Sequence, residues 1–145
     1  MISDYRVIDL VPHSAEMSLL DTIESHSPDG LVAAVTIKEN SLFCEAAGMP
    51  VWIGIEYMGQ AIAAWAGIEA RMNNWPVKIG FLVSTRLYES PLSYFPVGET
   101  LLVSIEKITD NITGLRVFDC KINIKDIEIQ ASLTVFMPDN VEHFL

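Results

Sequence analysis

The chain has 145 residues, 50% of them hydrophobic, and a formal net charge of −10. This length suits one domain with its own hydrophobic core. The negative charge disfavours nucleic acids and anionic membranes as partners, because both would repel it. The mean hydropathy of +0.33 is high for a small soluble domain. It favours an apolar surface that is buried against a second subunit.

The N-terminus and the cysteines predict a cytoplasmic protein. Residues 1–6 lack the basic and then apolar pattern of a signal peptide. The apolar window 46–68 is long enough for a membrane span, but Pro50, several glycines and the central Glu56 argue against one. Cys44 and Cys120 are too few for a disulfide framework, so we expect both to be reduced.

The first part of the chain predicts a short helix and a pair of strands. The helix is expected from Asp4 to Val11, where Pro12 ends it. The strands are expected over residues 18–25 and 31–38. They are joined by Ser27-Pro28-Asp29-Gly30, which has proline and glycine where β-turns favour them.

A long apolar helix and four more strands follow. Pro50 is expected in the first turn of this helix, which ends near Asn73. Alternating apolar and polar residues then predict antiparallel strands with one wetter face; the segments are Val77–Ser84, Leu101–Glu106, Phe118–Ile124 and Ile127–Val135. A helix that is apolar nearly all round must be wrapped by the sheet. The sequence therefore predicts a single α+β domain over residues 1–145 with the hotdog fold, a curved antiparallel sheet around one central helix.

Glu56 is the most informative polar residue of the predicted helix. It stands in an apolar segment, and Gln60 lies four residues on, on the same helix face. A carboxylate is costly to bury unless it is paired, and otherwise it tends to hold its proton. A carboxylic acid of that kind suits general-acid catalysis near neutral pH. The alternative is a structural carboxylate that is hydrogen-bonded to the backbone or fills a buried gap.

Few other residues could carry chemistry. Of the three histidines, His13 lies among apolar residues and is the best candidate for a base, although a purely structural hydrogen-bonding role is the alternative. Cys44 has no activating neighbour in sequence, which favours a buried bystander. We expect no metal site and no nucleotide cofactor, since neither ligand spacing nor a phosphate-binding glycine loop occurs.

Three basic residues, Arg71, Lys78 and Arg86, fall in a stretch without acidic residues. They are candidates to receive a phosphate or an acidic partner. Chance clustering on a solvated face is the alternative.

Several groups of residues together resemble 3-hydroxyacyl-acyl carrier protein dehydratases. In chain order they are Leu10–His13 with Leu19–Asp21, then Met49–Pro50, Glu56 and Gln60–Ala61, then Gly80–Phe81, Arg86–Tyr88 and Phe95–Glu99. The resemblance covers nearly the whole chain. Leu42 stands where these enzymes carry a catalytic histidine, and Val51 replaces their helix-start glycine. The chain keeps Pro12–His13, Ile55–Met58 and Ile79–Leu82 without the usual histidine loop, and in this it resembles the dehydratase subunit of aryl-polyene gene clusters more closely.

This resemblance implies dehydration of a 3-hydroxyacyl chain on acyl carrier protein, by a homodimer or with a second hotdog subunit. His13 would remove the C2 proton, and Glu56 would protonate the departing hydroxyl. Backbone N–H groups of Trp52, Ile53 and Gly54 would hold the thioester oxygen.

Further residues complete the expected site. Gln60, Gly80 and Phe81 are expected to line the substrate site, and the basic cluster of Arg71, Lys78 and Arg86 to bind the carrier protein. No cofactor is expected, because phosphopantetheine arrives with the substrate. Two alternatives remain open: a hotdog acyl thioesterase in which Glu56 activates water, and a non-catalytic subunit whose partner supplies the catalytic residues.

Overall fold

A computed structural model describes residues 19–74, 81–110 and 114–137. The predicted helix from Asp4 to Val11 lies outside these residues. In chain order the elements are β1 (Thr22–Ser27), β2 (Gly30–Thr36), β3 (Met49–Pro50), a 3-10 turn (Val51–Ile53), α1 (Gly54–Met72), β4 (Phe81–Arg86), β5 (Tyr94–Phe95), β6 (Thr100–Asp110), β7 (Leu115–Ile124) and β8 (Ile127–Phe136).

The main sheet has six strands in the order β1-β2-β6-β7-β8-β4, and every neighbouring pair is antiparallel. The helix α1 packs on one face of this sheet, against β2, β6 and β7. A separate two-stranded pair joins β3 to β5. One helix against an antiparallel sheet confirms the predicted hotdog fold.

Side-chain alternation in β6 and β7 places the core between the sheet and α1. Val103 and Ile105 of β6 and Ile122 of β7 are buried, and they alternate with polar residues on the outer face. Met58 and Ile68 of α1 are fully buried as well. Burying each large apolar side chain contributes about 1.5–3 kcal/mol to stability, so the helix that carries Glu56 is firmly held. Among the described residues, no helix is long and apolar enough to cross a membrane.

Several predicted boundaries differ from the structure, and two of them bear on the site. Pro50 does not open the helix: its ψ of 135° is extended, it pairs with Tyr94, and the α-helix begins at Gly54 after the 3-10 turn. The first strand begins at Thr22 rather than at residue 18. The N–H of Leu19 bonds to a helix side chain instead of a neighbouring strand, which explains the later start.

Candidate active site

Glu56 lies in the first turn of α1 and is half-buried. The side chain of Gln60, one turn further on, donates a hydrogen bond from Nε2 to Oε1 of Glu56 at 3.1 Å. This contact confirms the prediction that the two side chains share one helix face. A partly buried carboxylate is thus held by a neutral donor.

Gln60 also reaches the chain that enters the sheet. Its Oε1 accepts a hydrogen bond from the backbone N–H of Leu19 at 2.8 Å. Gln60 is 1% exposed, the most deeply buried polar residue in the described part of the chain. Both ends of its amide are therefore bonded, as a buried polar group requires.

The 3-10 turn before α1 is fixed by hydrogen bonds to two other parts of the chain, at Ser93 and at Tyr88. The N–H of Val51 donates to the carbonyl of Ser93 at 3.0 Å, beside the short β3–β5 pair. The carbonyl of Val51 accepts hydrogen bonds from the Tyr88 hydroxyl and from the N–H of Gly54. Burial raises the pKa of Tyr88 to about 12, so its hydroxyl stays protonated and remains a donor at neutral pH.

Gly54 lies against the hydrogen bond from the Tyr88 hydroxyl to the Val51 carbonyl, which we call the clamp from Tyr88 to Val51. A Cβ at this position would overlap the Tyr88 hydroxyl and come within 2.8 Å of Cδ1 of Ile122. Glycine is therefore required by the close approach of Tyr88 to the helix start. In the sequence Tyr88 is notable only as part of the resemblance, because no local pattern links it to Val51.

The three predicted thioester-binding residues differ in their surroundings. The N–H of Gly54 bonds to the carbonyls of Trp52 and Val51, and its predicted contact with the thioester stays a prediction. Ile53 is buried, whereas the Trp52 side chain is 60% exposed. The Trp52 ring lies 6.2 Å from that of Phe43. Phe43 follows the exposed Leu42, which stands where the resembled dehydratases carry a catalytic histidine.

Tyr57, next to Glu56 in the sequence, is buried and points away from solvent. Burial raises the pKa of its hydroxyl well above the usual value, and Cys44 and Asp21 raise it further through their charge. Cys44 is half-buried and free. Its thiol donates to the backbone carbonyl of Glu45 at 3.7 Å.

Several of the predicted site residues lie outside the described residues. His13, Lys78 and Gly80 lie outside. Phe81 begins β4, where its backbone pairs with Phe136. The expected proximity of Glu56 and His13 therefore stays a prediction.

The two described members of the predicted basic cluster lie in different elements. Arg71 is in the last turn of α1. Arg86 ends β4, two residues before Tyr88, which bonds to the start of α1. Since α1 rises about 1.5 Å per residue, its two ends are roughly 25 Å apart. Arg86 is thus the member that lies near the Glu56 end of the helix.

An open groove of about 850 Å³ is lined by residues of β1, β2, β6, β7 and β8. Its polar lining residues include Ser104, Glu106, Asp119 and Lys121. Glu106 and Asp119 face each other across β6 and β7, and such like charges destabilise a sheet slightly. Among the described residues, no three acidic, His or Cys side chains form a group that could hold a metal ion.

Comparison with known protein families identifies the family of the chain that carries this site. Residues 5–145 match the ApeP-like family, which is described as ApeP dehydratase. The chain belongs to this dehydratase family. The predicted resemblance to an aryl-polyene dehydratase subunit is therefore confirmed. No curated protein sequence matches the ApeP-like chain.

Solved structures support the fold of the ApeP-like chain. The dehydratase heterocomplex ApeI:P from Xenorhabdus doucetiae is similar, with a TM-score of 0.87 and 23% identity over 97% of this chain and 95% of that chain. A Streptococcus mutans protein bound to acetyl CoA has a TM-score of 0.59 and 16% identity, covering 79% and 86% of the two chains. A hypothetical thioesterase protein with coenzyme A from Streptococcus pneumoniae has a TM-score of 0.55 and 14% identity, covering 79% and 86%. At these identities the likenesses show the fold alone.

Proposed function

We propose that this dehydratase removes water from a 3-hydroxyacyl thioester carried on acyl carrier protein, in aryl-polyene biosynthesis. The observation that carries the proposal is the Glu56–Gln60 hydrogen bond at the start of the buried helix of an ApeP-like chain. Through this contact a neutral donor holds the half-buried carboxyl group of Glu56 at the position where the proposed mechanism needs a general acid.

The elimination uses one base and one acid. The imidazole of His13 takes the C2 proton, and the C–H electrons form the C2–C3 double bond. The C3–O bond breaks as Glu56 gives its proton to the departing oxygen, which leaves as water. His13 thus gains the C2 proton, Glu56 loses its own proton to the leaving water, and proton exchange with solvent restores both groups.

The thioester oxygen gains negative charge while the C2 proton leaves. The backbone N–H groups of Trp52 and Ile53 are proposed to stabilise it, because they belong to the turn that enters the positive end of α1. The clamp from Tyr88 to Val51 would keep this turn in place. The phosphopantetheine arm belongs to the substrate, so no further cofactor is invoked.

A second hotdog subunit is proposed to complete the enzyme. Leu42 occupies the position of the missing histidine, and Leu82 of β4 and Leu87 just after it are exposed. Within the described residues β4 pairs on one side only, with β8. An apolar strand edge of this kind favours pairing with another sheet. The Xenorhabdus doucetiae relative is itself part of a dehydratase heterocomplex.

The test is to identify the product formed from a synthetic 3-hydroxyacyl thioester of acyl carrier protein. The chain is assayed alone and as the complex that co-purifies from its native host, with mass spectrometry of the carrier. The proposal predicts loss of one water from the carrier-bound chain. Release of free acid would identify a thioesterase instead. Turnover by the complex but not by the single chain would show that the partner is required.

Glu56→Gln tests the acid within the same assay. The substitution preserves shape but removes the acidic proton, so turnover should fall by about 10² or more. Glu69→Gln is the matched control, since Glu69 lies on the same helix but next to His26, with 2.9 Å between its Oε2 and the imidazole Nε2. Equal turnover in both variants would refute the role of Glu56.

A further inference from the structure

Gln60 has its amide orientation fixed by the backbone. The N–H of Leu19 can only donate, so the group that faces it must be the amide oxygen. The amide nitrogen must then face Glu56. A terminal amide has one acceptor and one donor end, and here a main-chain group decides which end points to the carboxyl group.

This orientation determines where Glu56 carries its proton. The NH₂ group of Gln60 has no acceptor lone pair, so Oε1 of Glu56 must accept a hydrogen bond. The carbonyl oxygen of a carboxylic acid is a stronger acceptor than its hydroxyl oxygen, so when Glu56 is protonated this contact favours the carbonyl at Oε1 and the proton on Oε2. We infer that Gln60 is a positioning residue that places the acidic proton of Glu56 on Oε2, an inference that rests on the proposed function.

The same amide links the acid to the segment that leads to the predicted base. Leu19 follows His13 by six positions in the sequence, so the intervening chain spans at most about 20 Å. The segment is held again at Asp21, whose Oδ2 accepts the N–H of Thr36 in β2 at 2.7 Å. Gln60 thereby fixes the spacing between Glu56 and the start of that segment.

No other common side chain fills this role. An ionised glutamate at position 60 could still accept from Leu19 but would present an acceptor to Glu56. Methionine has a similar length but provides neither a strong donor nor a strong acceptor. Asparagine is one methylene shorter, so it cannot span the 2.8 Å and 3.1 Å contacts together without movement of the backbone.

The experiment uses Gln60→Glu in the full complex. The fold should survive because the Leu19 N–H keeps its acceptor, but kcat should fall by about 10-fold to 10², with a smaller change in KM. Two neighbouring carboxyl groups share a proton, and the second proton is lost at higher pH than from either acid alone. The alkaline limb of the pH profile of kcat should therefore move to higher pH, which a merely structural role would not cause.

Hydrogen exchange of the Leu19 amide gives a readout that needs no turnover. In the wild-type protein this amide should exchange slowly, and Gln60→Met should make it exchange at least 10-fold faster. An unprotected Leu19 amide in the wild type, or wild-type kcat and pH profile in a folded Gln60→Glu variant, would overturn the inference. If Glu56→Gln itself retained full turnover, the proposed function would fail instead, so the two failures are distinguishable.

Discussion

Replacing Gly54 with alanine should destabilise the protein through collisions with Tyr88 and Ile122. The new Cβ would overlap the Tyr88 hydroxyl and approach Ile122 Cδ1 to 2.8 Å. Tyr88 must then swing away and lose its hydrogen bond to the carbonyl of Val51. The substitution therefore tests whether the helix start and the segment after β4 are joined as the structure indicates.

The expected loss follows from three contributions to the free energy of unfolding. Overpacking a closely packed site costs about 1–3 kcal/mol, and the lost hydrogen bond costs about 1 kcal/mol. Alanine regains up to about 1 kcal/mol through its better helix propensity. The net destabilisation is about 2 kcal/mol, which lowers Tm by about 4–8 °C for a domain of this size.

Urea denaturation followed by circular dichroism measures the effect at a fixed protein concentration. Gly59→Ala is the matched control in the same helix, because a Cβ there meets no atom within 4 Å; it should stabilise the protein by about 0.5–1 kcal/mol. Tyr88→Phe removes the colliding oxygen, so Gly54→Ala should cost less in its presence, by about 1 kcal/mol. Additive effects of the two substitutions, or a Gly54→Ala variant as stable as Gly59→Ala, would refute the reasoning.

Three further outcomes are expected. Burial raises the pKa of Tyr88 from 10 to about 12, so above pH 10 the folded state keeps a proton that the unfolded state releases. The free energy of unfolding, measured by urea denaturation, should therefore fall between pH 10 and 12, and it should fall less in Tyr88→Phe. Burial raises the pKa of the Cys120 thiol to about 12, so a thiol reagent at pH 8 should modify the half-buried Cys44 before Cys120. Equal labelling rates of the two cysteines in the native protein would contradict this. If the carrier protein docks near the Glu56 end of α1, Arg86→Glu should weaken its binding and reduce the salt dependence, measured by titration calorimetry, whereas Arg71→Glu at the far end should have little effect.

The sequence predicts the fold well because its strongest patterns are also the strongest structural constraints. The period-two alternation of Ile127–Val135 can bury one face only if it is a strand, and β8 occupies nearly that range. The apolar helix has to be covered by a sheet, and α1 is. Helix propensity could not place the helix start, because proline suits both a first helical turn and the extended conformation that Pro50 adopts beside Tyr94.

The candidate site is predictable only where its contacts are local. Glu56 and Gln60 are one helical turn apart, so their contact follows from spacing alone. The contacts of Gln60 with Leu19 and of Tyr88 with Val51 join residues that are far apart in sequence. Such contacts depend on how the sheet wraps the helix, and no single-sequence pattern encodes them. For the same reason, Arg71 and Arg86 appear clustered in the sequence, but one lies in the last turn of α1 and the other at the end of β4.

The most direct test of the account is single-turnover dehydration by the native complex that contains either wild-type chain or Glu56→Gln. The substrate is a 3-hydroxyacyl chain on acyl carrier protein, and mass spectrometry follows the carrier-bound species with time. The account predicts a 2-enoyl thioester from the wild type and a rate lower by about 10² or more in Glu56→Gln, with both complexes equally folded. An undiminished rate in Glu56→Gln, or free acid as the wild-type product, would contradict it.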